Sequence, residues 1–138
     1  MKRRSKIAPS VIAKELKVSR PFVSQAQRIA EQRIKKLLLT AAEMNRISID
    51  KISPEVGFAL GFNPANSART YITYSPEFRV QVWHDHEGDC NNCELNTECD
   101  RILRGLALEW GFSIPKELQP TQVAITLFNK IMRRLGWE

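Results

Sequence analysis

The chain of 138 residues predicts a mainly α fold carrying one small β-hairpin, an α+β arrangement in which helices dominate. Three observations predict it. Apolar residues recur at three- and four-residue steps from Phe22 to about Asn45. The stretch TYITYSPEFRVQVW (70–83) alternates about a central turn. Two further helical patterns follow, over Asp100–Trp110 and from Thr121 to Leu135.

The first element is the segment PSVIAKELKVSRPFVSQAQR, residues 9–28, which reads as a helix-turn-helix. Ala13 sits where the first helix lets the second approach, and Ile12, Leu16, Val18, Val23 and Ala26 fall at buried positions. Val18-Ser19 supplies the turn. Ser19 can accept the free amides of the next helix as its N-cap, and Pro21 has no amide hydrogen to waste in the first helical turn. Arg20, Ser24, Gln25 and Arg28 are left facing outward, residue types that reach phosphates and base edges in a major groove. An ordinary amphipathic helix pair is the plainer alternative. Ahead of it, MKRRSK offers Lys2, Arg3 and Arg4 as a basic arm for phosphates or a minor groove, or simply as a solubilising tail.

The helical pattern runs on through Ile29, Ile34, Leu37, Leu38 and Ala42. One helix from Arg20 to about Glu43 would span some 35 Å, longer than a recognition helix needs. Either it breaks near Arg33 or its C-terminal half packs against a partner, which points to a homodimer. Arg28, Arg33, Lys35 and Lys36 lie on the outer face.

On IAKELKVSRPFVSQA the chain resembles the helix-turn-helix transcription regulators of the short bacterial and archaeal kind, over about 20 of its 138 residues. The resemblance implies a helix-turn-helix or winged-helix-like fold with a long dimerisation helix, and double-stranded DNA as partner. Lys2, Arg3, Arg4, Ser19, Arg20, Ser24, Gln25 and Arg28 are the DNA-binding candidates. Two features depart from the pattern. Lys17 stands where glycine is usual, so a left-handed backbone there costs roughly 1 kcal/mol. Only eight residues precede Pro9, so the first helix of the class must be very short or replaced by a later segment.

Ser53-Pro54-Glu55 looks like a helix start, with Val56, Phe58, Ala59, Leu60 and Phe62 apolar, though Gly57 and Gly61 weaken it. Asn63-Pro64 breaks it, and Ala65–Tyr71 could begin another short helix. In the hairpin, Tyr71, Thr73, Arg79 and Gln81 alternate with Ile72, Tyr74, Val80 and Val82 around Ser75-Pro76-Glu77. It reads either as a wing reaching DNA or as a plain hairpin covering the core. In the C-terminal helices Ile102, Leu103, Leu106, Ala107 and Trp110 face inward, and the last helix carries Val123, Ile125, Leu127, Phe128, Ile131 and Leu135 as its apolar residues. Gly111 stops the first helix as its C-terminal cap, Thr121 caps the second and Gly136 follows it. Lys130, Arg133 and Arg134 suit the helix dipole and mark a solvated end.

All three cysteines and both histidines lie in HDHEGDCNNCELNTEC, at His84, His86, Cys90, Cys93 and Cys99. Cys99, just before a helix, can set its sulfur by the positive N-terminus. The acidic residues of this stretch, with no Lys or Arg among them, favour a cation. Two centres compete. Tetrahedral Zn2+ would take the three thiolates and either histidine, a metal site bracing the C-terminal helices. A [4Fe–4S] cluster is the rival, because CNNCELNTECDRILRGLA locally resembles the WhiB-like iron–sulfur regulators. That family supplies a remote fourth cysteine, which a histidine would have to replace here. Unmetallated reactive thiols are a third reading.

Composition narrows the rest. The odd, closely spaced cysteines argue against a disulfide framework. No apolar run reaches the length of a membrane span and no signal peptide is readable, so a cytoplasmic protein without a membrane partner is expected. Residues 1–46 hold twelve Lys and Arg against three Glu, a net of +9, whereas 47–138 sum to −3. A basic segment coinciding with the helix-turn-helix favours DNA through counterion release. No Gly-rich phosphate loop, serine elbow or separated carboxylate pair is present, and the His-x-His-Glu and Cys-x2-Cys pieces stand too close for a deaminase-like zinc site. An enzyme is therefore not expected.

Two regions are expected, 1–45 (arm, helix-turn-helix, long helix) and 46–138 (hairpin, Cys/His site, C-terminal helices), or both in one compact unit. The function expected is a sequence-specific DNA-binding transcription regulator whose metal centre is structural or redox-sensing. The alternative is a metal-stabilised protein–protein adaptor.

Overall fold

In a computed structural model of the protein, the described residues are Lys14, 19–65, 67–85 and 96–137. The described residues divide into two compact units, one ending at Trp83 and one beginning at His84.

Helix α1 (Arg20–Met44) begins as the residue types dictate. Ser19 is extended, its hydroxyl accepts from the Phe22 amide at 3.2 Å, and Pro21 stands in the first turn. Its C-terminus is closed by a pair of crossed hydrogen bonds. The Ile47 amide donates to the Ala42 carbonyl at 2.8 Å and the Arg46 amide to that of Glu43 at 3.2 Å. This is a Schellman ending, with Arg46 (φ 56°) in the left-handed position that usually goes to glycine. Its apolar clasp is Ile47, which packs with Leu38 and Ala42.

Behind the helix lies a four-stranded sheet in the order β1-β2-β3-β4: Ser48–Ser53, Phe58–Asn63, Ala68–Ser75 and Arg79–His84. Each strand pairs with the next, a meander with antiparallel β1/β2 and β2/β3 ladders. The register places Ile52, Ala59 and Ile72 side by side on one face. That face meets α1, where Leu38, Ala42, Ile47, Ala59 and Ile72 form a buried cluster flanked by Ile34, Tyr74, Val80 and Val82. On the opposite face Phe58, Leu60, Tyr71 and Thr73 are also buried, and the rings of Phe58 and Tyr71 stack with centroids 6.0 Å apart. Edge strand β1 carries a bulge between Ile49 and Lys51, so Asp50 has no counterpart in β2. A bulge of this kind blunts an open edge against pairing with other chains.

These findings correct the predicted fold class. A mainly α fold with a small hairpin, helix-turn-helix or winged-helix-like, is replaced by α1 on a four-stranded antiparallel sheet with two further helices. The helix expected from Ser53 is instead the β1–β2 connection, in which Gly57 (φ 71°) turns the chain, followed by strand β2. The helix expected over 65–71 is largely β3. The hairpin of 70–83 exists, but as half of the meander rather than as a separate wing. α1 does not break near Arg33, and its C-terminal half is a layer of the protein's own core. The first helix of the helix-turn-helix lies outside the described residues apart from Lys14, as does the arm with Lys2, Arg3 and Arg4.

In the second unit, α2 (Asn96–Trp110) and α3 (Pro120–Leu135) pack as a hairpin. Ile102, Leu103, Leu106, Ala107 and Trp110 are buried, as are Val123, Leu127, Phe128, Ile131 and Met132. Both helices end in Schellman pairs, at Gly111 and Gly136, as their sequences imply. α3 starts earlier than expected, because Gln119 is its N-cap and Pro120 fills the first turn ahead of Thr121. The α2–α3 loop is held by Arg104, whose guanidinium donates to the carbonyls of Pro115, Lys116 and Leu118 at 3.0–3.1 Å and pairs with Asp100 at 2.9 Å. Arg134 is not merely a solvated charge. It donates to the Trp110 carbonyl at 2.8 Å and lies 4.4 Å from the centre of the Phe112 ring. Metal-stabilised C-terminal helices are corrected accordingly: among the described residues, apolar packing and these two arginines hold the pair, and no group of three or more His, Cys, Asp or Glu is placed to hold a metal ion.

Candidate nucleic-acid interface

α1 has three sides. At 3.6 residues per turn, Leu38 and Ala42 define the side facing the sheet. About a quarter of a turn away, Gln25, Arg28, Gln32, Lys35 and Lys36 share a sector roughly 100° wide, which also holds the exposed Leu39 and Glu43. All five are exposed. Among the described residues none of Arg28, Lys35 and Lys36 has a carboxylate partner. The sector extends about 17 Å along the helix, the length over which a duplex backbone passes several phosphates. Unpaired exposed cations keep their full charge for a polyanion, and the two glutamines add amide donors and acceptors between them.

The predicted contact residues divide around this geometry. Gln25 and Arg28 lie in the sector. Arg20 is exposed at the first helical position, but it falls on the angular side of Leu38, at the far end of the helix. Ser24 is half-buried. The Ser19 hydroxyl is occupied as the N-cap. Val23 is buried as expected, whereas Ala26 is exposed. Gln32 was not among the predicted contacts; its signal is the four-residue step from Arg28. Arg33 turns to the third side of the helix. Lys2, Arg3 and Arg4 lie outside the described residues.

Of the five Cys and His candidates, His86, Cys90 and Cys93 lie outside the described residues. His84 is the last residue of β4. Cys99 is half-buried within the first turn of α2, because that helix begins at Asn96, earlier than expected. Beside it, Glu98 and Arg101 form an exposed pair at 2.6 Å, and the hydrogen bond from Arg101 holds the Glu98 carboxyl below its ordinary range.

No helix among the described residues is long and apolar enough to cross a membrane. The chain matches no family model, no curated protein and no solved structure.

Proposed function

We propose that this chain binds double-stranded DNA, with the basic sector of α1 laid against the phosphates. The observation that carries the reading is the row Gln25, Arg28, Gln32, Lys35 and Lys36, exposed on one side of a helix whose other side is anchored on a sheet. A helix fixed in this way needs no backbone ordering at binding, so only the side chains lose freedom there. The +9 balance of residues 1–46 adds a long-range field of the right sign. Sequence-specific recognition, as in a transcription regulator, is the finer form of the proposal, supported by the resemblance of residues 9–28 to helix-turn-helix regulators. Gln25 is then the described side chain suited to a base edge. Anisotropy titrations of a labelled duplex at several salt concentrations test the reading. Affinity that falls steeply with salt supports it, and a protein that fails to bind duplex even at low salt overturns it.

The Cys/His window is proposed as a metal centre, for Zn2+ or for a [4Fe–4S] cluster. Its support is the gathering of all three cysteines and both histidines in one acidic stretch. Metal analysis and visible absorption of anaerobically purified protein decide between them. One zinc per chain without colour selects zinc, a broad visible band with iron selects the cluster, and protein free of both metals overturns the proposal.

A further inference from the structure

The third side of α1 is open and largely apolar, with Arg33 and Thr40 also on it. Phe22, Ala26, Ile29, Ala30, Leu37 and Met44 fall in one sector roughly 100° wide, separate from both the core side and the basic side. Phe22 is 62% exposed, Ile29 42%, Leu37 43% and Met44 79%. Single exposed apolar residues need no explanation, but several gathered on one side of a helix do. These four side chains leave on the order of 400 Å² uncovered, the size at which the largest apolar patch of a monomer tends to be functional.

We infer that this side of α1 is covered by α1 of a second copy, running antiparallel. The row is complementary to itself when reversed. With a two-fold axis beside Ile29 and Ala30, Phe22 meets Leu37 of the second copy, Ile29 meets Ala30, and Ala26 meets Arg33. Two of the three steps set a large side chain against a small one, the interdigitation that lets helices pack at 8–10 Å. Ala26 and Ala30, one turn apart, open the crossing point. The same axis keeps the two Arg33 side chains apart, and each lays its methylene stem over an alanine with the charge in solvent. An isologous contact requires this kind of self-complementarity, which a different partner protein would have no reason to match. Met44 lies beyond this overlap; Phe22, Ile29 and Leu37 with the two alanines and the Arg33 stem give each copy on the order of 400 Å², so the pair buries roughly 800 Å² and the dimer is a weak, concentration-dependent one. The inference goes beyond the duplex reading and does not depend on it.

Sedimentation velocity of the full chain, without nucleic acid and over a range of concentrations, provides the test. The native chain is expected to form a dimer as concentration rises. Ile29→Glu and, separately, Leu37→Glu are expected to weaken the dimer by about tenfold or more while circular dichroism, and Tm measured at concentrations where the native chain is monomeric, stay unchanged, since both positions are solvent-exposed in the single chain. Should Leu37→Glu disturb folding, Ile29→Glu alone carries this arm. Ala26→Glu checks the register. Placed opposite Arg33 of the second copy, it is expected to keep or tighten the dimer, whereas an undirected apolar contact would lose affinity. A native chain that stays monomeric, a dimer indifferent to Ile29→Glu, or one broken by Ala26→Glu would each overturn the inference.

Discussion

A Cβ atom on Gly61 would stand 2.6 Å from the carbonyl oxygen of Ser48 and 2.6 Å from Cγ2 of Ile47. This is the point where the chain leaves α1 and enters the sheet: Ile47 clasps the end of the helix and Ser48 opens β1 opposite Phe62. The glycine thus permits β2 to lie against the backbone that follows the helix. Neither neighbour can yield cheaply, because one is main chain and the other is core.

Gly61→Ala is accordingly expected to destabilise the protein by about 1–3 kcal/mol, the range of a forced overpacking with backbone shift. Urea unfolding of the full chain measures it. A loss below about 0.5 kcal/mol, the ordinary range for harmless changes, would show that the approach is looser than described.

Arg46 offers the opposite case. It holds φ 56° in the Schellman turn after α1, where a Cβ carries a penalty. Arg46→Gly is expected to raise stability, by about 1 kcal/mol less the entropy that glycine adds to the unfolded chain. The change should appear as a higher urea midpoint with an unaltered slope. A lower midpoint would mean that the Arg46 side chain contributes more than its backbone costs.

Arg104 is the fastener of the α2–α3 loop, with three carbonyls and Asp100 on one guanidinium. Arg104→Ala leaves those carbonyls to find other donors and is expected to cost about 2–4 kcal/mol. Arg104→Lys can keep the Asp100 pair but cannot fork to three carbonyls, so it should recover less than half of the loss. Thermal unfolding of the two variants beside the native chain checks both. Full rescue by lysine would reduce the role to charge alone.

Much of this was legible in single residues. Ser19 and Pro21 marked the start of α1, Ser75-Pro76 the β3–β4 turn, and Gly111 and Gly136 the ends of α2 and α3. The first half of the sheet was not legible, for a physical reason. Phe58, Ala59 and Leu60 are all buried, so β2 shows no alternation, and a continuous apolar run looks the same in a buried strand as in a helix. Helical periodicity found α1 but could not tell which of its apolar residues served the core. Leu38 and Ala42 do, whereas Phe22, Ile29 and Leu37 do not, and that division follows only from where the sheet lies. Arg134 and Arg104 act on carbonyls far along the chain, contacts that no local pattern announces.

Contact between the basic sector of α1 and duplex phosphates is read out by the salt dependence of duplex affinity for the triple variant Arg28→Ala, Lys35→Ala, Lys36→Ala, with Lys116→Ala as a control of charge. Each phosphate contact removed should lower the slope of log affinity against log salt by about 0.9, so the triple variant is expected to be shallower by about 2–3, with the control unchanged. A folded triple variant that keeps the native slope would mean that these three side chains touch no phosphate.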